Sequence, residues 1–273
     1  MSDKSKILGL IAGSGQFPLM VADAAKKRDL CVVAVAHRDE TDSRLAHMVN
    51  QIVWIELGQV GKLIKAFKEN GVRKALMAGA IAKKRMFEKI SPDSRGLELM
   101  SKVAVFHDDS VLRALAAELA EEGIEIVSST LCLPELLAPQ GCLTIKKPNK
   151  AESADILFGW KVAKEIGHMD IGQCSVVRRK TVLAVEAMEG TDEMIARAGR
   201  MCRAGGWTLI KVSKPNQDMR FDVPTIGKQT IENLKKNKAA CVVLEAGKTL
   251  IIDMPETIKL AEENKIVVLG HKS

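Results

Sequence analysis

The sequence predicts an α/β protein in which an N-terminal Rossmann-like domain, built on a parallel sheet, is linked to a second α/β domain with a mixed sheet. Three observations support this prediction. Short apolar, β-branched runs alternate with helical patterns along most of the chain, as in parallel βαβ units. A glycine turn follows the first apolar run, and a stretch rich in proline, glycine and lysine breaks the alternation near the middle of the chain.

The first half of the chain follows the βαβ pattern. Its apolar runs predict strands over residues 7–11, 31–36, 74–78 and 125–128, and the patterns between them predict helices over 18–28, 60–70 and 111–122. Gly71 and Gly123 come directly after two of these helices, where glycine is favoured because it adopts a left-handed backbone conformation without strain. These elements predict an N-terminal domain over residues 1–133.

The pattern breaks after residue 133, where prolines, a glycine and lysines interrupt every long element. We place a linker over 134–153 and a second domain over 154–273. In the second domain the patterns predict helices over 154–166 and 193–204, and strands over 173–178, 181–186, 208–212, 241–244 and 249–253.

The composition argues against several classes of protein. Of the 273 residues 47% are hydrophobic, yet no apolar run approaches the roughly 18 residues that span a bilayer. The six cysteines form no CxxC pair, which argues against a zinc ribbon or a disulfide scaffold. The formal net charge of +7 favours anionic partners, but only 3% of residues are aromatic, so nucleic-acid binding is not expected. We expect a cytoplasmic protein.

Two glycine turns follow predicted strands in the first half. Gly13, Gly15 and Gln16 lie in the sequence IAGSGQFP at the start of a predicted helix, and Gly79 follows the strand over 74–78. Helix N-termini bind phosphate, and parallel sheets bind ligands beyond the carboxyl ends of their strands. Both turns are therefore candidate phosphate or nucleotide-sugar contacts, and a purely structural turn is the alternative. The third glycine of a dinucleotide fingerprint is absent.

A turn rich in acidic residues follows the predicted strand over 181–186. Glu186, Glu189, Thr191 and Asp192 bring several acceptor oxygens to the N-terminus of a predicted helix, where a hydrated cation could be held. The alternative is that Thr191 or Asp192 only caps the helix while Glu189 lies in solvent. The sequence favours a functional role and leaves the capping role open.

The densest group of charged and polar residues lies in the loop KVSKPNQDMRFDVPTIG. Phosphoryl transfer needs cations that neutralise the transferred group, and a carboxylate that orients water or holds a metal ion. Within this loop, Lys211 and Arg220 are candidate cations and Asp218 and Asp222 are candidate carboxylates. Mutual salt bridging at the surface is the alternative.

With these motifs the sequence resembles the LpxI family of UDP-2,3-diacylglucosamine pyrophosphatases. The resemblance covers nearly the whole chain: the GxGxxP turn over 13–18, Ala78-Gly79, DIGQ over 170–173, AVEAMEGTD over 184–192 and QDMRFDVPTIG over 217–227. The last two blocks are the specific ones, because they match in long ungapped order. The resemblance implies two domains with the substrate bound between them, and a divalent cation, Mg²⁺ or Mn²⁺. It also implies hydrolysis of UDP-2,3-diacylglucosamine to 2,3-diacylglucosamine 1-phosphate (lipid X) and UMP in lipid A biosynthesis.

The resemblance also implies a role for one particular residue. The aspartate of the family's R-x-D-x-P motif, the one most closely tied to catalysis, falls on Asp222. We infer that Arg220 and Lys211 act with it. The predicted metal ligands are Glu189, Asp192 and Asp218, and the predicted substrate contacts are Gly13, Gly15, Gln16, Gly79, Asp170, Gln173, Thr191, Gln217 and Thr225.

Two other functions stay open at this point. One is a nicotinamide-dependent oxidoreductase-like module built on the first glycine turn, and the other is a non-catalytic protein that binds a UDP-sugar or lipid. Because the implied substrate is acylated and the chain is basic, peripheral contact with the inner membrane is expected. The sequence leaves a homodimer open.

Overall fold

The computed structural model describes residues 6–81, 90–102, 108–131, 133–215, 217–221 and 223–272, which form two compact units. The N-terminal unit comprises the described residues up to Leu133 together with Met219–Phe221. The C-terminal unit comprises the other described residues, from Pro134 onward. Among the helices of these ranges, none has the length and apolar character needed to cross a membrane.

The N-terminal unit is built on a parallel sheet. Its strands are β1 Ile7–Ala12, β2 Cys31–His37, β3 Gln51–Ile55, β4 Lys74–Ala78 and β5 Glu125–Ile126, and its helices are α1 Phe17–Lys27, α2 Val60–Glu69, α3 Ser94–Lys102 and α4 Asp108–Glu121. The strands lie in the order β3-β2-β1-β4-β5, and every neighbouring pair is parallel. This is a doubly wound, Rossmann-like order, in which the direction of winding reverses between β1 and β4.

The core of the N-terminal unit forms because apolar, β-branched strands are covered by amphipathic helices. β2 is buried along almost its whole length, as expected for a parallel strand with both faces covered. On one face, Val33 and Val35 of β2 share a core with Phe67 of α2 and Leu119 of α4. Phe221, which is distant in sequence, packs against the same core.

The C-terminal unit contains a mixed sheet and a short parallel pair. Its strands are β6 Gly141–Cys142, β7 Cys174–Arg178, β8 Thr181–Val185, β9 Trp207–Lys211, β10 Thr225–Ile226, β11 Ala239–Glu245, β12 Leu250–Ile251 and β13 Val267–His271. Its helices are α5 Lys150–His168, α6 Gly190–Met201, α7 Lys228–Lys236 and α8 Met254–Glu263. The main sheet has the order β6-β13-β11-β9-β7-β8, and β10 pairs with β12. β9, β11 and β13 are parallel to one another, whereas β7 is antiparallel to both β8 and β9.

Helices cover both faces of this mixed sheet. α5 packs on one face, where Trp160 and Ile210 share a core, and α6, α7 and α8 pack on the other around Trp207 and Leu209. Gly159 lets α5 approach the sheet closely, because a β-carbon at this position would lie 2.4 Å from Cδ1 of Ile210. Alternate side chains of β9 point to opposite faces of the sheet, so Trp207 and Leu209 pack in one core and Ile210 packs in the other.

The structure confirms the predicted fold class, a parallel-sheet Rossmann-like domain followed by a second α/β domain with a mixed sheet. The predicted linker over 134–153 contains a 3₁₀ turn at Pro134–Leu136, β6 and the first residues of α5. α5 thus begins at Lys150, earlier than the helix predicted over 154–166. The exact domain boundaries stay a prediction.

Candidate functional site

The two glycine turns of the N-terminal unit meet where the winding of its sheet reverses. The N–H of Ser14 donates to the carbonyl of Ala80 at 2.7 Å, and the N–H of Ala80 donates to the carbonyl of Ser14 at 3.3 Å. A β-carbon at Gly13 would lie 2.5 Å from the Ala80 oxygen, and one at Gly79 would lie 2.4 Å from the Ser14 oxygen. Both glycines are therefore required for packing one turn against the other, and their contact with substrate stays a prediction.

Gly15 and Gln16 lie exposed at the N-terminus of α1. Gly15 has φ +88°, and a β-carbon there would meet no atom within 4 Å. Gln16 occupies the N-cap position without a capping side-chain hydrogen bond. Gly15 and Gln16 therefore leave room for an anion at the N-terminus of α1, whereas Gly13 and Gly79 are packed against the opposite turn.

His37 is a buried residue at the end of β2, beside the first glycine turn. It was not predicted as a site residue from the sequence. Its Nδ1 lies 3.0 Å from the carbonyl oxygen of Ala12, which also accepts from the hydroxyl of Thr41 at 2.6 Å. Burial lowers the pKa of His37, and this outweighs the opposing effects of the Ala12 carbonyl and two nearby glutamates. A neutral imidazole facing a carbonyl carries its proton on Nδ1. His37 therefore donates a hydrogen bond from Nδ1 to the Ala12 carbonyl, and this bond holds the end of β1 in place.

In the C-terminal unit the strand directions gather polar residues at one edge of the main sheet. The carboxyl ends of β8, β9, β11 and β13 lie there, together with the start of β7. Ligands of α/β sheets bind beyond the carboxyl ends of their strands. Glu186, Lys211 and Glu245 lie at this edge, and each is buried.

A hydrogen-bonded chain at this edge joins Gln173, Glu186, Thr191 and Lys211, and we call it the Glu186 network. The hydroxyl of Thr191 donates to Oε1 of Glu186 at 2.7 Å, and Nζ of Lys211 donates to the Thr191 oxygen at 3.2 Å. The backbone N–H of Gln173 donates to Oε2 of Glu186 at 3.3 Å. Glu186 and Lys211 are each only 6% exposed. The network therefore places a carboxylate and an ammonium group inside the protein, linked through one hydroxyl.

Two neighbours of the network define its surroundings. Gly172 approaches Glu186 so closely that a β-carbon would lie 2.1 Å from the Glu186 carbonyl oxygen, which explains the glycine of the DIGQ sequence. The thiol of Cys174 lies 3.7 Å from the Thr191 hydroxyl. Burial raises the pKa of Cys174, so its thiol stays neutral and is no nucleophile at neutral pH.

A second group at the same edge surrounds Glu245, and we call it the Glu245 network. Oε2 of Glu245 accepts from Nζ of Lys164 at 2.6 Å and from the backbone N–H of Ser213 at 2.8 Å, and Nζ of Lys248 lies 3.1 Å from Oε1. Glu245 was not predicted from the sequence, although it ends an apolar run just as Glu186 does. Its bond to Ser213 fixes the start of the loop that follows β9.

Comparison with known proteins identifies the family. A family model described as the LpxI N-terminal domain matches residues 7–136, and one described as the LpxI C-terminal domain matches residues 139–269. The chain belongs to the LpxI family. A relative from Caulobacter vibrioides (strain ATCC 19089 / CIP 103742 / CB 15), named UDP-2,3-diacylglucosamine pyrophosphatase LpxI, is 36% identical over 274 aligned positions, and the match covers 96% of this chain and 96% of the relative.

Solved structures resemble this LpxI family member only weakly. The biotin carboxylase domain of a thermophilic 2-oxoglutarate carboxylase matches with a TM-score of 0.28 and 16% identity, over 74% of this chain and 34% of that one. Phosphoribosylglycinamide synthetase from Anaerococcus prevotii matches with a TM-score of 0.26 and 13% identity, over 69% of this chain and 34% of that one. Likeness at this level carries no argument about function.

Two of the three metal ligands predicted for this LpxI chain are held by other side chains. Glu189 is paired with Arg197, and Asp192 accepts from Nδ2 of Asn233 at 2.9 Å. Hydrogen bonds, from backbone N–H and from Arg197, hold the pKa of Glu189 below its ordinary value. In the described ranges, no group of three or more acidic, histidine or cysteine side chains could hold a metal ion.

The other predicted contacts of the C-terminal half are also placed. Asp170 pairs with Nζ of Lys214 at 2.8 Å. Oε1 of Gln217 accepts from the hydroxyl of Ser213 and from the N–H of Lys214, each at 3.0 Å, which closes the first turn of the loop. The hydroxyl of Thr225 donates to the carbonyl of Val223 at 2.8 Å.

The predicted catalytic residues of the LpxI motif are placed in part. Asp222 lies outside the described residues. Arg220 belongs to the N-terminal unit, where its guanidinium lies 4.8 Å from the ring centroid of Phe221, whereas Lys211 and Asp218 belong to the C-terminal unit. Of the predicted residues, the structure brings Gln173, Thr191 and Lys211 together in the Glu186 network.

Proposed function

We propose that this LpxI family protein hydrolyses the pyrophosphate bond of UDP-2,3-diacylglucosamine, giving 2,3-diacylglucosamine 1-phosphate and UMP in lipid A biosynthesis. One observation carries the proposal: 36% identity over 96% of both chains to a relative named UDP-2,3-diacylglucosamine pyrophosphatase. Because the match is full-length, both units of this chain have counterparts in that relative.

The Glu186 network supports a ligand that carries phosphate groups. The ammonium of Lys211 is buried, and hydrogen bonds from buried cations to phosphate oxygens are stronger than the same bonds in water. The side-chain oxygen of Gln173 is also buried and accepts no hydrogen bond from any residue the structure describes. A buried acceptor of this kind calls for a donor from outside the protein, such as water or a substrate hydroxyl.

The proposed reaction transfers water to one phosphorus of the diphosphate. Asp222 accepts a proton from water, whose oxygen bonds to the phosphorus attached to the sugar. The bond from that phosphorus to the bridging oxygen breaks, and UMP leaves with the bridging oxygen. Lys211 and Arg220 bind charged phosphate oxygens during this step. The role of Asp222 rests on the family motif alone.

Two finer parts of the proposal concern the surroundings of the reaction. Dependence on Mg²⁺ or Mn²⁺ is proposed from the family resemblance and from the charge of the diphosphate, which a divalent cation neutralises. Peripheral contact at the cytoplasmic face of the inner membrane is proposed because the substrate is acylated and the chain has a net charge of +7.

The proposal predicts that the purified protein releases UMP from UDP-2,3-diacylglucosamine, measured by chromatography of the nucleotide products. Asp222→Ala should lower kcat by about a thousandfold or more, because the group that activates water is lost. Glu232→Ala, which removes an exposed carboxylate from α7, is the matched control and should leave turnover unchanged. Full activity in Asp222→Ala would remove that residue from the mechanism.

Further arms of the same experiment test the finer statements. EDTA should abolish turnover and Mg²⁺ or Mn²⁺ should restore it; turnover that persists in EDTA would rule out the cation. Hydrolysis in heavy-oxygen water should label 2,3-diacylglucosamine 1-phosphate, and label in UMP would reverse the proposed point of attack. Tight binding of the UDP-sugar without release of UMP would indicate a binding protein instead.

A further inference from the structure

Glu186 is a buried carboxylate whose two oxygens are held by the protein itself. Oε1 accepts from the Thr191 hydroxyl at 2.7 Å, and Oε2 accepts from the backbone N–H of Gln173 at 3.3 Å. Burying a carboxylate costs free energy unless donors replace the lost water. These two donors come from the residue before β7 and from the first turn of α6, so Glu186 ties the start of both elements to the end of β8.

The chemistry of these groups fixes the direction of each hydrogen bond in the network. An ionised carboxylate only accepts, so Thr191 must donate its single hydroxyl hydrogen to Glu186. The Thr191 oxygen is then available as an acceptor, and Nζ of Lys211 donates to it at 3.2 Å. Glu186 thereby sets the orientation of the Thr191 hydroxyl, which accepts a hydrogen bond from Nζ of Lys211.

Lys211 has donor capacity that this network does not use. An ammonium group carries three N–H bonds, and Thr191 accepts one of them. Among the residues with described positions, Thr191 is the only hydrogen-bond acceptor that the structure records for Nζ of Lys211, although the residue is only 6% exposed. Oxygens of an anionic ligand would satisfy the remaining N–H bonds.

We propose that Glu186 is a positioning residue, which acts through the Thr191 hydroxyl to hold the Lys211 ammonium in the orientation that binds a diphosphate oxygen. The choice of a diphosphate as the ligand rests on the proposed function. Glu186 itself does not contact the ligand in this arrangement. Its contribution is the geometry of Lys211.

Binding of inorganic pyrophosphate, measured by titration calorimetry on the full-length protein, tests this proposal without requiring turnover. Glu186→Gln leaves one carbonyl oxygen for two donors, so the Thr191 hydroxyl is no longer fixed. Pyrophosphate affinity and kcat/KM should each fall about tenfold to a hundredfold, the range for a hydrogen bond that involves a charged group. The melting temperature, measured in parallel, should change little.

Four further variants separate positioning from a general structural effect. Thr191→Val should reproduce the loss, and Thr191→Ser, which keeps the hydroxyl, should restore binding and turnover to near the wild-type values. Glu193→Gln removes an exposed carboxylate from the same turn of α6 and should bind pyrophosphate as the wild type does. In a Lys211→Met background, Glu186→Gln should cause no further loss, because its effect passes through Lys211.

Several outcomes would overturn the proposal. They are wild-type affinity in Glu186→Gln, a full additional loss when that change is added to Lys211→Met, and a wild-type protein that does not bind pyrophosphate. The two proposals fail separately. Protein that binds pyrophosphate with the expected dependence on Glu186 but never releases UMP would refute the proposed function, while the positioning role would stand.

Discussion

Two buried carboxylates, Glu186 and Glu245, lie at the same edge of the C-terminal sheet and are stabilised in different ways. Glu186 is held by a hydroxyl and a backbone N–H, whereas Glu245 is held by two lysines and a backbone N–H. Direct pairing with lysines makes Glu245 an anchor whose ionisation favours the folded state. Among the described residues no lysine bonds to Glu186, and its hydrogen-bonded link to Lys211 runs through the Thr191 hydroxyl.

The Glu245 network predicts a specific dependence of stability on pH. Burial alone would raise the pKa of Glu245, but hydrogen bonds from Lys164, the Ser213 N–H and Lys248 outweigh burial, and its pKa lies below the ordinary value of 4.5. Since the folded-state pKa is the lower one, ionised Glu245 stabilises the fold above pH 4.5, and this contribution is lost as the pH falls through the folded-state pKa.

Urea unfolding of Glu245→Gln and the wild type over a pH series measures this contribution. The variant should be less stable at neutral pH, and the difference in free energy of unfolding should shrink towards zero in strong acid. Glu256→Gln, an exposed carboxylate on α8, is the control and should show little difference at any pH. A difference for Glu245→Gln that is constant with pH would contradict ionic anchoring.

Part of the candidate site could be predicted from single residues. Thr191 was selected because it lies at a predicted helix start among acidic residues, and Lys211 because it is a cation in the loop KVSKPNQDMRFDVPTIG. The structure joins the two directly, since Nζ of Lys211 donates to the Thr191 hydroxyl, which itself donates to Glu186. The reason for Gly13 and Gly79 could not be predicted, because it depends on a contact between turns separated by 66 residues. Local sequence shows that a turn is tight but not what packs against it.

At the scale of elements, several apolar segments were predicted well, whereas the apolar strands β3 and β13 and the polar helix α7 were missed. The strand over 74–78 coincides with β4, and the helix over 60–70 exceeds α2 by one residue. α7 was missed because its sequence, KQTIENLKK, has only two buried apolar residues, Ile231 and Leu234. β3 was missed although the four residues after Gln51 are apolar, and its pairing with β2 establishes it as a strand of the sheet.

The start of α5 illustrates an element that is fixed by its cap. The side chain of Asn149 accepts from the N–H groups of Ala151 and Glu152, each at 2.9 Å, and the Glu152 carboxylate accepts from the Asn149 N–H at 2.8 Å. This reciprocal capping box satisfies N–H groups that a helix start otherwise leaves unpaired. It therefore sets the helix start at Lys150, before the predicted residue 154.

Removal of the cap should destabilise the protein by a measurable amount. Asn149→Ala is expected to lower the free energy of unfolding by about 1 kcal/mol, the usual cost of losing an N-cap side chain. Lys150→Ala changes the next, exposed residue without removing a cap hydrogen bond and serves as the control. Equal stability of the two variants in urea unfolding would show that the capping box contributes nothing.

At the scale of the whole molecule, chain order and structural units do not coincide. Met219–Phe221 belongs to the N-terminal unit although both flanking stretches belong to the C-terminal one. The hydroxyl of Ser128 donates to the Met219 carbonyl at 2.9 Å across 91 residues of sequence, and Phe221 packs against the core of Phe67 and Leu119. A division of the sequence at one boundary could not predict this, because no local pattern in MRF indicates which core receives the phenylalanine.

This arrangement predicts that a substitution late in the sequence weakens the N-terminal unit. Phe221→Ala removes a half-buried ring from that core and should lower the unit's stability by about 1–3 kcal/mol, with the C-terminal unit little affected. Hydrogen exchange resolves the two effects, since amides of β1, β2 and β4 should exchange faster while those of β9, β11 and β13 should not. Val223→Ala, a half-buried residue of the C-terminal unit two positions later, is the matched control. Faster exchange confined to the C-terminal strands in Phe221→Ala would show that this ring does not stabilise the N-terminal core.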